Sequence, residues 1–482
     1  MNPTSAVPLV VDLDGTLTPT DTLHESLLQL LKRSPISLFR LGHALLEGKA
    51  AFKDEVAVNA DLDPTTLPYR QDFLDYLYAE KGKGRQIVLA TAAHSSIAEK
   101  VAAHLGLFDD VLATSRGRNL KGTTKLESIR EHVGNNFAYA GDSKADIPIW
   151  KAASSAILVG ASADVRDEVR RNSNVALEFP RETAGLAVWL RALRVYQWLK
   201  NLLLFVPLLT AFSFLDIGKF TTLVVAFLAF SFSASGTYVL NDLWDLQSDR
   251  AHPRKRHRPF ASAKLPIRLG LTVAVVAIAT GFFMSAFVTK GFFLLLLLYL
   301  VLTSVYSWML KSYVLIDVLT LSLLYTLRII AGSAAVGIPT SSWLLAFSVF
   351  VFLSLALVKR CAELVSLNEA GKQFTRGRDY RVNDLVVLWP MGVGAALSAV
   401  VVFGLFISAP ETQARYASPQ MLWFVAVGLV YWLGRLLIKA SRGEMHDDPI
   451  VYAIKDRGSR FVVFFMFMTM MISHAIDLGS VL

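Results

Sequence analysis

The stretch Asn241-Asp242-Leu243-Trp244-Asp245-Leu246-Gln247-Ser248-Asp249-Arg250 follows directly on an apolar run long enough to cross a bilayer. On a helix, Asp242, Asp245 and Asp249 fall at i, i+3 and i+7, so three carboxylates share one face, with Asn241 one turn before Asp245. Like charges so close repel unless something positive sits among them. A hard divalent cation supplies that charge, and Mg2+ typically binds through a few carboxylates plus the phosphate oxygens of a substrate. The plain alternative is a solvated helix end at a membrane surface; this spacing at the mouth of an apolar bundle favours the cation.

Working outward, the 482 residues leave room for two or three domains. An apolar content of 54% and a mean hydropathy of +0.45 are too high for one soluble protein of this size. The apolar residues concentrate after about residue 200, so a soluble domain is joined to a membrane domain. A net charge of +9 could suggest nucleic acid, but the basic residues gather in the loops between apolar runs, where positive-inside bias explains them. The single cysteine, Cys361, excludes an intrachain disulfide and a multi-cysteine metal site. No basic segment followed by a long apolar run opens the chain, which predicts a cytoplasmic first domain.

In the N-terminal part, Pro8 to Val11 reads as a buried strand ending in Asp12-Leu13-Asp14-Gly15-Thr16. Gln86 to Thr91 is a second strand, ending in a hydroxyl residue, and Phe137 to Ser143 a third, ending at Asp142. Between them Lys121 and Lys125 flank a Gly-Thr-Thr turn. Parallel strands gather their carboxyl ends, so Asp12, Asp14, Thr91, Lys125 and Asp142 could meet around one Mg2+ and one phosphate. Thr91 could equally cap a helix, and either lysine could lie on the surface; Lys125 is favoured because it heads the helical stretch Lys125 to His132. Helical periodicity over about Asp21 to Lys81 predicts a small cap above the site.

These residues resemble the four motifs of the haloacid dehalogenase superfamily of phosphatases, over roughly residues 5 to 175. The resemblance implies an α/β Rossmann-like domain in which Asp12 forms an aspartyl-phosphate and Asp14 serves as acid and base. Asp142 would complete the Mg2+ site beside Asp12 and Asp14, with Asp146 assisting, while Thr91 and Lys125 hold phosphate oxygens.

The expected boundaries are a phosphatase domain over 1–180, an amphipathic interfacial helix over 181–201, and an all-α membrane domain over 202–482. About nine apolar spans begin near residues 202, 220, 267, 291, 313, 342, 384, 420 and 460. The basic loops, carrying among others Arg250 to Lys264, Lys311, Lys359 to Arg381 and Lys439 to Arg460, predict an inner-membrane protein with its N-terminal domain and polar sites on the cytoplasmic side.

The aspartate-rich stretch after the second span, followed by His252-Pro253-Arg254-Lys255-Arg256-His257-Arg258-Pro259, resembles the UbiA superfamily of intramembrane prenyltransferases over roughly residues 190 to 480. In that family the aspartates hold Mg2+ on a diphosphate, and a lateral cavity takes a polyprenyl chain. Where a second aspartate-rich motif belongs, this chain reads Val358-Lys359-Arg360-Cys361-Ala362-Glu363-Leu364, and Asp447 to Arg457 places Tyr452, Lys455 and Asp456 on about one helical face. With Trp198-Leu199-Lys200-Asn201 and Leu327-Arg328-Ile329, the pattern looks most like the decaprenyl-phosphate phosphoribosyltransferase branch. That resemblance implies transfer of 5-phosphoribose from phosphoribosyl diphosphate to a polyprenyl phosphate. Asp242, Asp245 and Asp249 would hold Mg2+ on the diphosphate, and Lys200, Asn201, Asn241, Arg256, Arg328, Lys359, Arg360, Glu363, Tyr452 and Lys455 would form the substrate site. Two rivals stand beside it: an aromatic prenyltransferase with an independent phosphatase, and a transporter or scaffold with a regulatory phosphatase domain. Chain length of the lipid and oligomeric state are not readable from the sequence.

Overall fold

The structure, a computed structural model, describes residues 7–34, 37–60, 62–115, 119–181, 184–374, 378–445 and 448–477. Arg376 and Asp447, noted above in basic and polar loops, lie outside the described residues. By contacts the chain divides into two compact units, one of Met1–Leu193 with Tyr238–Ala274, the other of Arg194–Thr237 with Val275–Leu482.

The first unit is built on six parallel strands, β1 (Leu9–Val11), β2 (Ile87–His94), β3 (Asp110–Thr114), β4 (Ala138–Gly141), β5 (Ser155–Val159) and β6 (Val175–Phe179), in the order β3-β2-β1-β4-β5-β6. Its strands are apolar at successive residues because both faces are covered. Leu9, Val11 and Leu89 meet Phe73, Leu77 and Val101 on one face, while Val10, Val88 and Tyr139 meet Ile129, Trp150 and Val169 on the other. The strand order reverses beside β1, which opens a crevice at the carboxyl ends of β1 and β4.

Helices Thr22–Arg33, Ser37–Glu47 and Lys49–Asn59 form the cap, with a small core of Leu30, Leu41 and Val56. Asp21 starts it by accepting from the Leu23 and His24 amides. The cap is shorter than the periodicity predicts, since Gln71–Gly82 instead lays Phe73 and Leu77 on the sheet. Tyr238–Ala274 joins this unit through Val239, Leu243, Leu246, Phe260, Leu265 and Ile267, which pack with Ala192 and the partly buried Leu28 and Trp189.

Eight helices among the described residues are long and apolar enough to cross a membrane: Ile217–Trp244, Ile267–Ala286, Lys290–Trp308, Ile316–Val336, Ser342–Glu369, Val382–Ser408, Pro419–Ser441 and Arg457–Ala475. The span expected from near residue 202 is not among them: there the chain leaves a 3-10 helix, Val195–Phe205, for the short helix Val206–Thr210. Gly332 admits the 3-10 helix, because a Cβ there would lie 2.0 Å from the Leu204 carbonyl oxygen. The single amphipathic helix expected over 181–201 is broken, since Leu186–Ala192 ends before Arg194, whose φ of +50° interrupts helical geometry.

Candidate functional site

In the first unit the crevice carries the predicted phosphatase residues. Asp12, just past β1, is buried, and its Oδ2 lies 3.0 Å from Lys125 Nζ. Lys125 sits in the first turn of Thr123–Val133 and is buried, whereas Lys121 lines the same cavity from an exposed position, so Lys125 is the lysine beside the nucleophile candidate. Lys125 also donates to the Tyr139 hydroxyl at 2.7 Å, and Tyr139 in turn donates to Asp146 Oδ1 at 2.8 Å. Asp146 accepts from the Ser143 hydroxyl at 2.8 Å. Thr91 is fully buried inside β2, not at a helix start, and its Oγ1 accepts from the Ala93 amide at 3.0 Å. Asp14 accepts from the Thr22 amide at 2.8 Å. Gly15 has φ +80°, and a Cβ there would stand 2.1 Å from Asp142 Oδ2, so the turn that follows Asp14 requires glycine.

Carboxylate oxygens of Asp12, Asp142 and Asp146 lie within 4.8 Å of one another, the one such trio of potential metal ligands among the described residues. Burial pushes the Asp12 carboxyl up to about 6 against the pull of Lys125. Burial, followed by the charge of Asp21, raises Asp14 to about 7. Asp142 rises to about 8 through burial and the neighbouring charges of Asp12 and Asp146. An oxygen-only set of this kind, short of positive charge, suits a hard divalent cation. Lys125, although buried, is held in its charged form by Asp12 and Asp146.

The aspartate-rich motif belongs to this same unit. Its helix ends at Trp244 and Asp245 opens the short helix Leu246–Arg250, so the three carboxylates do not run along one unbroken helix. Asp242 and Asp249 are both buried, and Arg258 NH1 reaches Asp242 Oδ1 at 3.0 Å and Asp249 Oδ2 at 2.6 Å. The positive charge that the spacing demands is thus supplied, in this arrangement, by a guanidinium from the basic run. Burial raises the Asp249 carboxyl while Arg258 opposes it. Asp245 and Asn241 are half-buried, and Arg256 is exposed with its Nε directed at His257.

The second unit gathers other predicted residues. Lys200 and Lys359 both reach Asp448 Oδ2, at 2.8 and 3.2 Å. Burial disfavours charge on Asp448, but the two ammonium groups outweigh it and hold the carboxyl below its usual range. Arg328, buried, donates to Asn201 Oδ1 at 3.0 Å and to the Tyr299 hydroxyl at 2.9 Å, and lies over the Tyr299 ring at 4.8 Å. Asn201 donates to Ser231 at 3.0 Å. Arg360, expected to hold a phosphate beside Lys359, is instead wholly enclosed and paired with Asp317 and Glu363, a tie among helices rather than an open cation. Tyr452 lies on Pro449–Lys455, partly buried against the apolar cluster that includes Tyr325 and Leu433, and Lys455 at its end is exposed. Asp456 caps the following helix and pairs with Arg435 at 3.1 Å.

Arg258, Tyr139, Asp317 and Asp448 escape a reading of the sequence by motif. Asp448 alone carried a local signal, since an aspartate just before Pro449 is a helix start with its proline at the first position.

A haloacid dehalogenase-like hydrolase domain, matched over residues 9–151, thus precedes a membrane-embedded domain matched over 202–470, and the chain belongs to the UbiA prenyltransferase family. It is an integral multi-pass membrane protein. It is similar to the uncharacterized protein y4nM of Sinorhizobium fredii, at 38% identity over 95% of this chain and 89% of that one. The nodulation protein NoeC of Azorhizobium caulinodans is 38% identical over 56% of this chain and 87% of its own. Decaprenyl-phosphate phosphoribosyltransferase of Mycobacterium tuberculosis is 31% identical over 55% of this chain and 87% of its own. A solved UbiA homolog from Archaeoglobus fulgidus aligns with 60% of this chain and all (100%) of its own, at a TM-score of 0.45 and 16% identity.

Proposed function

We propose that this chain transfers 5-phosphoribose from phosphoribosyl diphosphate to a polyprenyl phosphate, and that its N-terminal domain then removes the 5-phosphate to leave polyprenyl phosphoryl ribose. The observation that carries the transferase half is the meeting of Lys200 and Lys359 on one oxygen of Asp448. Two cations around one anionic oxygen suit phosphate groups, and a donor and an acceptor that both carry phosphate bring more of that charge than a prenyl diphosphate with an aromatic acceptor. The similarity to the mycobacterial phosphoribosyltransferase supports the same choice.

In this reading an oxygen of the lipid phosphate attacks C1 of the ribose as the diphosphate leaves. Asp242, Asp245 and Asp249 are the residues that would hold Mg2+ on the diphosphate, displacing the Arg258 guanidinium that bridges Asp242 and Asp249 in this structure, with Asn241 and Arg256 beside them in the chain. Mg2+ bound there would offset the charge gathering on the leaving group. Lys200 and Lys359 hold phosphate oxygens, Arg328 orients Asn201 and Tyr299, and Tyr452 and Lys455 contribute to substrate binding. No protein base is needed, because the attacking phosphate is already an anion at neutral pH.

In the phosphatase, Asp12 attacks the 5-phosphorus while Asp14, protonated near pH 7, gives its proton to the departing sugar oxygen. Asp14 then takes a proton from the water that releases inorganic phosphate from Asp12. Lys125 and Thr91 steady the equatorial oxygens, and Asp12, Asp14, Asp142 and Asp146 are the residues that would hold Mg2+. Both reactions are placed at the cytoplasmic face of the inner membrane.

The test is incubation of membranes containing the protein with Mg2+, polyprenyl phosphate and phosphoribosyl diphosphate carbon-labelled in the ribose. Label enters the lipid phase with the wild type and not with Asp242→Ala, and Asp12→Asn accumulates the 5-phosphate product. Absence of lipid label alongside transfer from a prenyl diphosphate to an aromatic acceptor overturns the proposal.

A further inference from the structure

The phosphatase cavity, about 460 Å³, is lined by two unlike sets of residues. One part of its lining is the cluster of Asp12, Asp14, Lys125 and Asp142; another comes from the far end of the unit's sequence, a wall formed by Phe260, Leu265, Pro266, Ile267 and Arg268. No haloacid dehalogenase motif supplies that wall, since it follows the aspartate-rich stretch of the membrane domain.

The wall is fixed in place. Phe260, Leu265 and Ile267 are buried in the cluster that includes Leu243, Leu246 and Ala192. Gly270 lets Phe260 press against its helix, as a Cβ there would lie 2.4 Å from the Phe260 ring. Arg250, eleven residues before Ala261, donates to the Ala261 carbonyl at 3.0 Å and to Glu25 of the cap at 2.7 Å. Arg268 differs from these neighbours: its side chain is 71% exposed, faces Asp21 at 3.8 Å, and donates to His24 at the cavity rim.

Ile267 and Arg268 are also the first two residues of a helix long and apolar enough to cross a membrane. By chain connectivity alone, the rim of the cavity begins a membrane span. A phosphomonoester that carries a lipid chain has apolar groups to set against Phe260, Leu265 and Ile267 in the cavity lining, whereas a free sugar phosphate has none.

We infer that Phe260 to Arg268 is the substrate-selecting wall of the phosphatase, and that Arg268 holds the second, diester phosphate of a lipid-anchored sugar phosphate while its terminal monoester is hydrolysed at Asp12. This rests on the phosphatase reading above. The hydrolysis balances as that reading requires: the bond between phosphorus and the sugar oxygen breaks, water supplies the oxygen to phosphate and its proton to the alcohol. A guanidinium fits the diester because two parallel N–H donors match two phosphate oxygens, and at an exposed rim the contact gives selectivity without the cost of a buried unpaired charge.

The experiment uses full-length protein in phosphatidylcholine nanodiscs with Mg2+ and two substrates, polyprenyl-phosphoryl-ribose 5-phosphate and soluble ribose 5-phosphate. The readout is the ratio of kcat/KM for the lipid substrate to that for the soluble one. Arg268→Ala is expected to lower that ratio about tenfold, the effect of one lost charge-assisted hydrogen bond, chiefly through KM, and Arg268→Lys to restore part of it. A ratio unchanged in Arg268→Ala overturns the inference and leaves the phosphatase reading intact. Wild-type protein that releases phosphate from ribose 5-phosphate but none from the lipid substrate overturns both.

Discussion

Arg250, the last residue of the aspartate-rich motif, closes on both carboxylate oxygens of Glu25 in the phosphatase cap, NH2 to Oε1 at 2.7 Å and NH1 to Oε2 at 3.1 Å. Their side chains are only 8% and 2% exposed. Thr20 adds a donor to Glu25 at 2.7 Å, so the carboxylate is satisfied on both sides. A UbiA-family segment and a hydrolase cap are thereby held in one compact unit. Breaking a buried pair from one side leaves an uncompensated charge, at a cost of about 3 to 5 kcal/mol. Arg250→Ala should therefore lower the midpoint of thermal unfolding of the full-length protein by several degrees. A double-mutant cycle with Glu25→Ala isolates the pair, and additive effects would show that it contributes nothing.

The phosphatase cluster makes a prediction about pH. Asp12, Asp14 and Asp142 sit at about 6, 7 and 8, each above the ordinary carboxylate value of 3.8. Between pH 4 and 8 the folded protein therefore holds protons that the unfolded chain has released, so without metal its stability falls as pH rises through that window. A divalent cation must displace those protons to bind. Mg2+ affinity, measured by isothermal titration on an Asp242→Ala background, should rise from pH 6 to pH 8, with a heat that depends on the buffer's ionisation enthalpy. A flat affinity across the window would place the metal elsewhere.

Lys125 and Lys121 make a direct comparison. Only Lys125 is buried against Asp12, Tyr139 and Asp146. Lys125→Met should reduce phosphate release at least about a hundredfold by removing the cation facing the transferred oxygens, whereas Lys121→Ala should stay within about twofold. Equal losses in the two variants would undo the assignment.

This lysine illustrates what the sequence could and could not convey. Strand ends carrying Asp12 and Asp142 are readable because a parallel sheet always brings its carboxyl ends together, whereas the strand expected to end at Thr91 runs on to His94; eight of the expected spans are readable because a bilayer sets their length. The aspartate motif is visible too, but the partner of its carboxylates is not: Asp245 turns to a non-helical ψ of 10° while its amide still donates to the Asn241 carbonyl, and Arg258, nine residues beyond Asp249, takes the place between the carboxylates. Nothing in local periodicity encodes such a contact. The first span was misjudged because a 3-10 helix carries no distinct apolar period, and its entry depends on Gly332, far along the chain.

That same glycine can be tested. Gly332→Ala would push a methyl group into the Leu204 carbonyl, a backbone atom that cannot rotate away. The expected cost is about 1 to 3 kcal/mol, with loss of transferase activity because Lys200 and Asn201 ride on the displaced segment. Unchanged lipid labelling by this variant would mean that the segment tolerates the shift.

Adjacent in sequence, Lys359 and Arg360 should behave as different kinds of residue. Arg360 is fully enclosed and paired with Asp317 at 2.5 Å, itself fully buried and accepting from Tyr306 at 2.7 Å. Removing the guanidinium leaves the fully buried Asp317 with only the more distant Arg378, 3.9 Å away, so Arg360→Met should lower folded yield and thermal midpoint, and restoring balance with Asp317→Asn in the same chain should recover part of the loss. Lys359, with a side chain 31% exposed and its partner Asp448 shared with Lys200, can be lost without leaving that carboxylate bare. Lys359→Met should keep the melting midpoint within about two degrees while raising KM for phosphoribosyl diphosphate about tenfold, the effect of one lost charge-assisted contact to phosphate. If Lys359→Met unfolds the protein and Arg360→Met merely weakens the donor, the division between a structural cation and a substrate cation must be reversed.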